Sequence, residues 1–230
     1  MKTLGIIGGI GPEATIDYYK SLITIHREQH PDADAPSIII NSINMKKAVD
    51  LVTANRLTEL ANYFVEEIRT LANAGADFGL LAANTPHIIF DEIVRESPLP
   101  LISIVEATRD EARGQGFSRV GLLGTRFTMK ARFYPEVFAR ENIQIVVPSD
   151  SDQDYVHERY FRELVNGIFL DETRNELVAI VRRMRERDHI EAVILGGTEL
   201  PLILRDARLG LPALDTTQIH VRAALARMGG

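Results

Sequence analysis

The sequence predicts an α/β fold of two pseudo-symmetric, Rossmann-like lobes, each built on a parallel sheet, with a cleft between the lobes. Two observations lead to this prediction. Short apolar runs alternate with longer amphipathic segments, and three short motifs of the first half return in the same order in the second half. Strands that alternate with helices form βαβ units with parallel strands. Motifs that recur at one spacing indicate repeated structural units.

The internal repeat sets the expected lobe boundaries. Its paired motifs are LGIIGG (4–9) with RVGLLGT (119–125), ADFGLLAANT (76–85) with IEAVILGGTE (190–199), and SPLPLIS (97–103) with LGLPALD (209–215). The repeat divides the chain near residue 98, and the last segment returns to the first lobe. We therefore expect residues 1–98 plus 209–230 in the first lobe and residues 99–208 in the second.

The strand candidates are short apolar runs without polar alternation, as expected for parallel strands covered on both faces. They are Thr3–Ile7, Ser37–Ile43, Phe78–Ala82, Leu101–Ser103, Val120–Leu123, Ile143–Val147, Ala192–Leu195 and Ala213–Leu214. The helix candidates between them carry apolar residues at helical spacing. They are Pro12–His30, Thr58–Ala74, Glu106–Gly114, Tyr155–Val165 and Asp171–Asp188.

Composition excludes several classes of function. A net charge of -6 and a pI near 5.6 argue against nucleic-acid binding, which needs a basic patch. No apolar run approaches the roughly 18 residues of a membrane span, and Met1–Gly11 lacks the cleavage site of a signal peptide. We therefore expect no membrane partner and a cytoplasmic location. The chain has no cysteine, hence no disulfide, thiol nucleophile or thiolate metal site.

A metal site is the less favoured interpretation of the histidine pattern. His26 and His30 are spaced i, i+4 on a predicted helix, which suits a metal ion. The polar residues between them favour a solvated helix face instead. We predict no metal.

The loop after the first strand is a candidate anion site. Residues Gly8–Thr15 contain a G-x-G-x-x-A pattern between a strand and a helix, where backbone N–H groups can approach an anion. A dinucleotide site would need an acidic residue at the end of the second strand, but Asn41–Asn44 offers none. A carboxylate site or a plain tight turn is favoured over NAD. Gly9, Ile10 and Gly11 are the candidate ligand contacts.

Polar residues also follow three other strands. In the second lobe, Thr125 and Thr128 either hold a carboxylate or cap the next helix, and neither alternative is preferred. Asn84 and Thr85 follow one strand, and Thr198 follows its counterpart. Short polar side chains there need hydrogen-bond partners, so a binding role is favoured, although helix capping is compatible with it.

Taken in order, GIIGGIGPEAT, AANTPH, GLLGTRFTM, GGTEL and LPALDTTQIH resemble the aspartate/glutamate racemase family of cofactor-independent amino-acid racemases. The resemblance covers nearly the whole chain. It implies two α/β lobes, a small amino acid or dicarboxylate bound in the cleft between them, and a homodimer, without pyridoxal phosphate or metal. In this family two cysteines move the α-proton between opposite faces of the substrate.

The resemblance places the two family cysteines immediately before Asn-Thr in the first motif and before Thr-Glu in the second. This chain has Ala83 and Gly197 there. Neither residue can accept a proton, and general acid–base catalysis requires a titratable group within hydrogen-bond reach. Glu199 and His87 are the candidate substitutes. Asp215 is a weaker one.

Three interpretations of function stay open at this point. The chain is a racemase-family enzyme with altered proton transfer, a binding protein that kept the cleft, or a lyase or decarboxylase that uses the same cleft. Lys46, close to the end of the second strand, is a candidate contact for an acidic ligand. The apolar segments Ile88–Phe90 and Leu200–Leu204 are candidates for a dimer surface or for the core.

Overall fold

The first sheet has four parallel strands in the order β2-β1-β3-β4. The computed structural model describes residues 1–32 and 34–229, and its first unit comprises Met1–Ile104 and the segment that starts at His220. The strands are β1 (Leu4–Gly8), β2 (Ile38–Ser42), β3 (Phe78–Leu81) and β4 (Leu101–Ile102). Ile7 of β1 is in register with Leu81 of β3, so these two strands end at the same edge.

Four helices and a 3-10 turn lie between β1 and β4 in the described part of the first unit. They are α1 (Pro12–Gln29), α2 (Met45–Thr53), α3 (Leu57–Asn73) and α4 (Phe90–Glu96), with the 3-10 turn at Thr85–Ile89. A proline in the first turn suits the start of α1, since its missing N–H would have no partner there. The Asn44 side chain accepts the Lys47 N–H and caps α2.

Both faces of the first sheet are covered, which explains the apolar runs without polar alternation. Ile7 and Leu81 belong to a core cluster with residues of α3. Ile6 and Leu80 point to the opposite face and pack with Tyr18 and other residues of α1. The final helix, α11 (Thr216–Gly229), contributes residues from Val221 onward to that second cluster.

The second unit, Val105–Ile219, repeats this architecture. Its parallel sheet has the order β6-β5-β7-β8. The strands are β5 (Arg119–Leu123), β6 (Gln144–Val146), β7 (Ala192–Leu195) and β8 (Ala213–Asp215). Because both sheets place their strands in the same relative order, the predicted α/β fold with two parallel sheets is confirmed.

The remaining helices belong to the second unit, except for the first residue of α5. They are α5 (Ile104–Gly114), α6 (Arg126–Lys130), α7 (Phe133–Ala139), α8 (Asp150–Arg162), α9 (Asp171–Asp188) and α10 (Leu200–Leu204), with a 3-10 turn at Leu164–Asn166. The core of this unit joins α8, α9 and α10 to the sheet through buried residues such as Val156, Ile180, Val193 and Ile203.

The chain passes from one unit to the other at residues that differ from the boundaries expected from the repeat. Strand β4 pairs with β3 in the first sheet, and β8 pairs with β7 in the second. The chain therefore enters the second unit after Ile104 and returns to the first after Ile219, whereas the repeat predicted these changes after residues 98 and 208. Each copy of the third motif supplies the last strand of its own sheet, so the chain changes unit after that strand and not before it.

The predicted strands agree with the observed ones to within one residue at each end, whereas several helices were not predicted. Five of the missed helices, α2, α4, α6, α7 and α10, have five to nine residues, too few for a clear amphipathic repeat. The sixth, α11, has 14 residues, but its buried residues include the polar Thr216, Thr217 and His220, so its buried face is not marked by apolar residues alone. The apolar segments at 88–90 and 200–204 supply core residues, among them Ile89 and Ile203. In the described ranges no helix is long and apolar enough to cross a lipid bilayer.

Candidate functional site

The glycine loop after β1 forms a turn held together by Thr15. Gly9 has a φ of 78°, and its N–H donates to the Thr15 hydroxyl at 2.9 Å. The same hydroxyl donates to the Gly11 carbonyl at 3.2 Å. Because the Gly9 N–H donates to a residue of the loop itself, Gly9 fits the tight turn that the sequence offered as an alternative to an anion site. Ile10 and Gly11 are the loop positions left for the predicted anion site.

The motif after β3 brings Ala83, Asn84 and His87 to the same edge of the first sheet. All three are buried. The His87 ring uses both of its nitrogens: Nδ1 lies 3.2 Å from the Asn84 carbonyl, and Nε2 accepts the Ile104 N–H at 3.3 Å. This pattern requires a neutral imidazole with its proton on Nδ1.

Burial and the charge of His220 lower the pKa of His87 to about 3. The ring also stacks on Phe90, with 4.5 Å between centroids. His87 thus links the 3-10 turn to the start of α5. This fixed position gives it a structural role that the sequence motif did not reveal.

Thr85 and Lys46 lie in the same unit but in different surroundings. Thr85 is the first residue of the 3-10 turn and is partly buried. Lys46 projects from α2 with 82% of its side chain exposed, and its ammonium group pairs with Asp50 at 2.5 Å. An open groove of about 750 Å³ between α2 and α3 includes both members of this pair in its lining.

In the second unit, Thr125 and Thr128 come together at the end of β5. The Thr125 Oγ1 accepts the Thr128 N–H at 3.3 Å and caps α6. The two hydroxyl oxygens are also 3.3 Å apart, and both residues are buried. Thr125 is therefore a helix cap, which was one of the two roles that the sequence predicted for it. A capping hydroxyl has a second lone pair and can also contact a ligand.

The motif after β7 places a carboxylate in the interior. Glu199 is fully buried. Its Oε2 accepts a hydrogen bond from the Tyr160 hydroxyl and another from the Thr198 hydroxyl at 3.1 Å. Burial first, and then the adjacent Glu199 carboxylate, raise the pKa of Tyr160 well above its ordinary value. Tyr160 therefore stays neutral and acts as a donor to Glu199.

Tyr160 also occupies the space in front of Gly197. A Cβ built on Gly197 would lie 2.5 Å from Cε2 of Tyr160 and 3.1 Å from both its Cζ and its hydroxyl oxygen. Tyr160 belongs to α8 and stands 39 residues from Glu199 in the chain. Sequence analysis missed it because no motif links α8 to the strand-end residues. The only indication was its position four residues after Val156 on the buried face of a helix.

Two further residues of the last motif have structural partners. Asp215 accepts the Gln218 N–H at 3.0 Å and pairs with Arg205 at 3.2 Å, which places it at the start of α11. His220 accepts the Tyr18 hydroxyl at 2.9 Å and lies 3.0 Å from the Ile102 carbonyl. Burial lowers the pKa of His220 to about 4.

The histidine pair of α1 differs from the solvated face expected from the sequence. His26 is buried, while His30 is exposed, and their ring centroids are 4.9 Å apart. Polar neighbours in the sequence concealed the burial of His26, because its side chain points toward the interior from the helix. Among the described residues, no group of three or more His, Cys, Asp or Glu side chains is placed to hold a metal ion.

A comparison with protein families finds one match over most of the chain. Residues 7–224 match the family described as Asp/Glu/Hydantoin racemase. The chain belongs to this racemase family. The family assignment agrees with the resemblance found in the five sequence motifs.

Individual relatives extend the similarity over the full length. The chain is 25% identical to the broad specificity amino-acid racemase RacX of Bacillus subtilis over 97% of this chain and 96% of that protein. It resembles the solved structure of an aspartate racemase homologue from Pyrococcus horikoshii at 35% identity, TM-score 0.86 and full coverage of both chains. It also resembles the Picrophilus torridus aspartate racemase at 25% identity and TM-score 0.83, over 100% of this chain and 95% of that one.

Proposed function

We propose that this member of the racemase family binds a small amino acid or dicarboxylate at the carboxyl ends of its parallel strands, and does not carry out two-thiol racemisation. One observation carries the proposal: Ala83 and Gly197 stand at the two positions where the family resemblance places cysteine, in a chain without any cysteine. A methyl group and a hydrogen atom cannot accept the α-proton.

Polar groups gathered at the strand ends support the binding part of the proposal. Asn84 lies at the edge of the first sheet, and Thr125, Thr128 and Thr198 lie at the edge of the second, all of them buried. In parallel α/β sheets, ligands bind outside the carboxyl ends of the strands. The family relationship supports an amino-acid ligand, as does the similarity to RacX, whose name describes a broad specificity amino-acid racemase.

The hydrogen bonds that His87 and Glu199 already make argue against these two residues as substitute bases. A catalytic base must come within hydrogen-bond reach of the substrate proton. His87 already directs both ring nitrogens to the backbone, and the Oε2 of Glu199 accepts from Tyr160 and Thr198. We therefore favour a binding function over a catalytic one. Independence from pyridoxal phosphate, a homodimeric state and a cytoplasmic location belong to the same proposal.

Calorimetric titration with a panel of L- and D-amino acids and small dicarboxylates tests the binding proposal. Replacing Thr125 and Thr198 by valine should weaken binding of the best ligand roughly 5- to 150-fold for each buried hydrogen bond lost. The serine variants at the same positions keep the hydroxyls and should keep most of the affinity. Absence of any amino-acid or dicarboxylate ligand, or equal affinity of the valine variants, would refute the site.

Light scattering tests the homodimer separately. The measured mass should be twice 25.7 kDa at micromolar concentration. A monomer mass would refute the dimer. Cell fractionation tests the cytoplasmic location.

A further inference from the structure

The space that a side chain at position 197 would occupy holds an aromatic ring. An added Cβ on Gly197 would lie 2.5 Å from Cε2 of Tyr160, a separation far below ordinary van der Waals contact between carbon atoms of about 3.5 Å. The ring would therefore have to move before any residue other than glycine could stand at this position.

The backbone of Gly197 does not impose the restriction. Its φ lies outside the left-handed region, unlike that of Gly9 or Gly210. A side chain at Gly197 would thus meet no intrinsic backbone penalty of the kind that reserves left-handed positions for glycine. The obstacle is Tyr160, because the three atoms nearest to the added Cβ all belong to its ring or its hydroxyl.

The Tyr160 ring is also held in place. Only 7% of the residue is exposed, and it belongs to the core cluster of the second unit. Its hydroxyl donates to the carboxylate of the fully buried Glu199. Moving the ring would break a hydrogen bond to a buried carboxylate and disturb a packed core, two changes that each cost free energy.

We propose that Tyr160 determines what position 197 can carry: its ring, fixed by Glu199, closes the position of the second family cysteine to every side chain. Gly197 and Tyr160 are then a coupled pair, and restoring a thiol at position 197 requires a smaller residue at position 160. The steric part of this inference is independent of the proposed function. Its catalytic consequence rests on that function.

A double-mutant cycle in thermal unfolding tests the steric coupling. Gly197→Ala should lower the unfolding midpoint by about 2–10 °C in the unmodified chain. Beside Tyr160→Phe, which keeps the ring but loses the hydrogen bond to Glu199, the loss should be smaller but still measurable. Beside Tyr160→Val the same change should have little effect or raise the midpoint, because the methyl group enters vacated space. An equal loss in all three backgrounds would overturn the proposal.

Gly196→Ala is the matched control, since the three atoms nearest to a Cβ there belong to Leu122, at 2.6 Å, to the Leu123 carbonyl, at 2.9 Å, and to Thr128, at 3.5 Å. Its effect on the midpoint should be the same with tyrosine or valine at position 160. If Tyr160→Val does not fold, Tyr160→Leu takes its place. A crystal structure of Gly197→Ala gives a second test: a displaced Tyr160 ring supports the proposal, and an unmoved ring overturns it.

The catalytic consequence is measured by α-proton exchange of aspartate and glutamate in heavy water. The combination of Ala83→Cys, Gly197→Cys and Tyr160→Val should exchange at least about tenfold faster than the same two cysteine changes beside Tyr160. If the stability cycle shows coupling but neither cysteine combination exchanges the α-proton, the assigned proton-transfer positions are refuted, and Tyr160 is still the steric determinant. If both combinations exchange the α-proton measurably and equally fast, the role of Tyr160 is refuted.

Discussion

The hydroxyl of Tyr160 donates a hydrogen bond to the Oε2 of Glu199, although 39 residues separate the two in the chain. The contact joins α8 to the loop after β7 inside the core of the second unit. It keeps an acidic side chain in the interior, where a carboxylate is costly unless it is hydrogen-bonded. The same contact fixes the ring that faces Gly197.

Removing the Tyr160 hydroxyl should destabilise the protein. Tyr160→Phe keeps the ring but takes one donor from a buried carboxylate, so the free energy of unfolding should fall by about 1–3 kcal/mol in urea. Tyr19→Phe is the control, because Tyr19 is 50% exposed, and it should change the free energy by less than about 0.5 kcal/mol. Equal stability of Tyr160→Phe and the unmodified chain would contradict the role assigned to the hydroxyl.

Two buried histidines of the first unit, His87 and His220, should make the protein less stable as the pH is lowered. The pKa values of His87 and His220 are lowered to about 3 and about 4, so between these values and the ordinary value near 6.5 the unfolded chain binds more protons. The stabilisation is complete above about pH 6.5 and is lost as pH falls toward pH 3–4. Each group contributes a slope of about 1.4 kcal/mol per pH unit in that window.

Urea unfolding at several pH values measures this slope. His220→Gln should reduce the slope between about pH 4 and 6.5 by about one proton equivalent, although the loss of the Tyr18 contact lowers stability at every pH. The exposed His30 provides the control, and His30→Gln should leave the slope unchanged. A slope unaffected by His220→Gln would show that His220 is not buried as a neutral ring.

The glycine loop after β1 should tolerate no side chain at Gly9. Gly9 has a φ of 78°, and an added Cβ would lie 2.6 Å from the Ile43 carbonyl. Gly75 has a φ of 96° but no atom within 4 Å of an added Cβ. Gly75→Ala therefore isolates the backbone cost of about 1–2 kcal/mol, and Gly9→Ala should cost at least about 1 kcal/mol more. Equal losses in urea unfolding would contradict the close approach.

The sequence predicted the strands well because each contains a short apolar run bounded by turn residues, and the central strands β1, β3, β5 and β7 are buried. It also located the strand-end motifs, which follow from the topology of parallel sheets. It did not predict Tyr160, since its contact with Glu199 joins two residues 39 apart in the chain that share no sequence motif. The same holds for His87, whose two hydrogen bonds go to backbone atoms that carry no sequence pattern. Burial of His26 was missed because its neighbours in the chain are polar.

We propose that Ala83 and Gly197 leave the chain without a pair of groups that can move an α-proton between the two faces of a substrate. This claim is tested by incubating the unmodified protein in heavy water with L- and D-aspartate, L- and D-glutamate and other amino acids. Deuterium at the α-carbon is measured by NMR and the enantiomers by chiral chromatography. We predict no more exchange than in samples without protein. Rapid exchange with racemisation would contradict the claim and would assign proton transfer to another residue, with Glu199 as the first to be replaced.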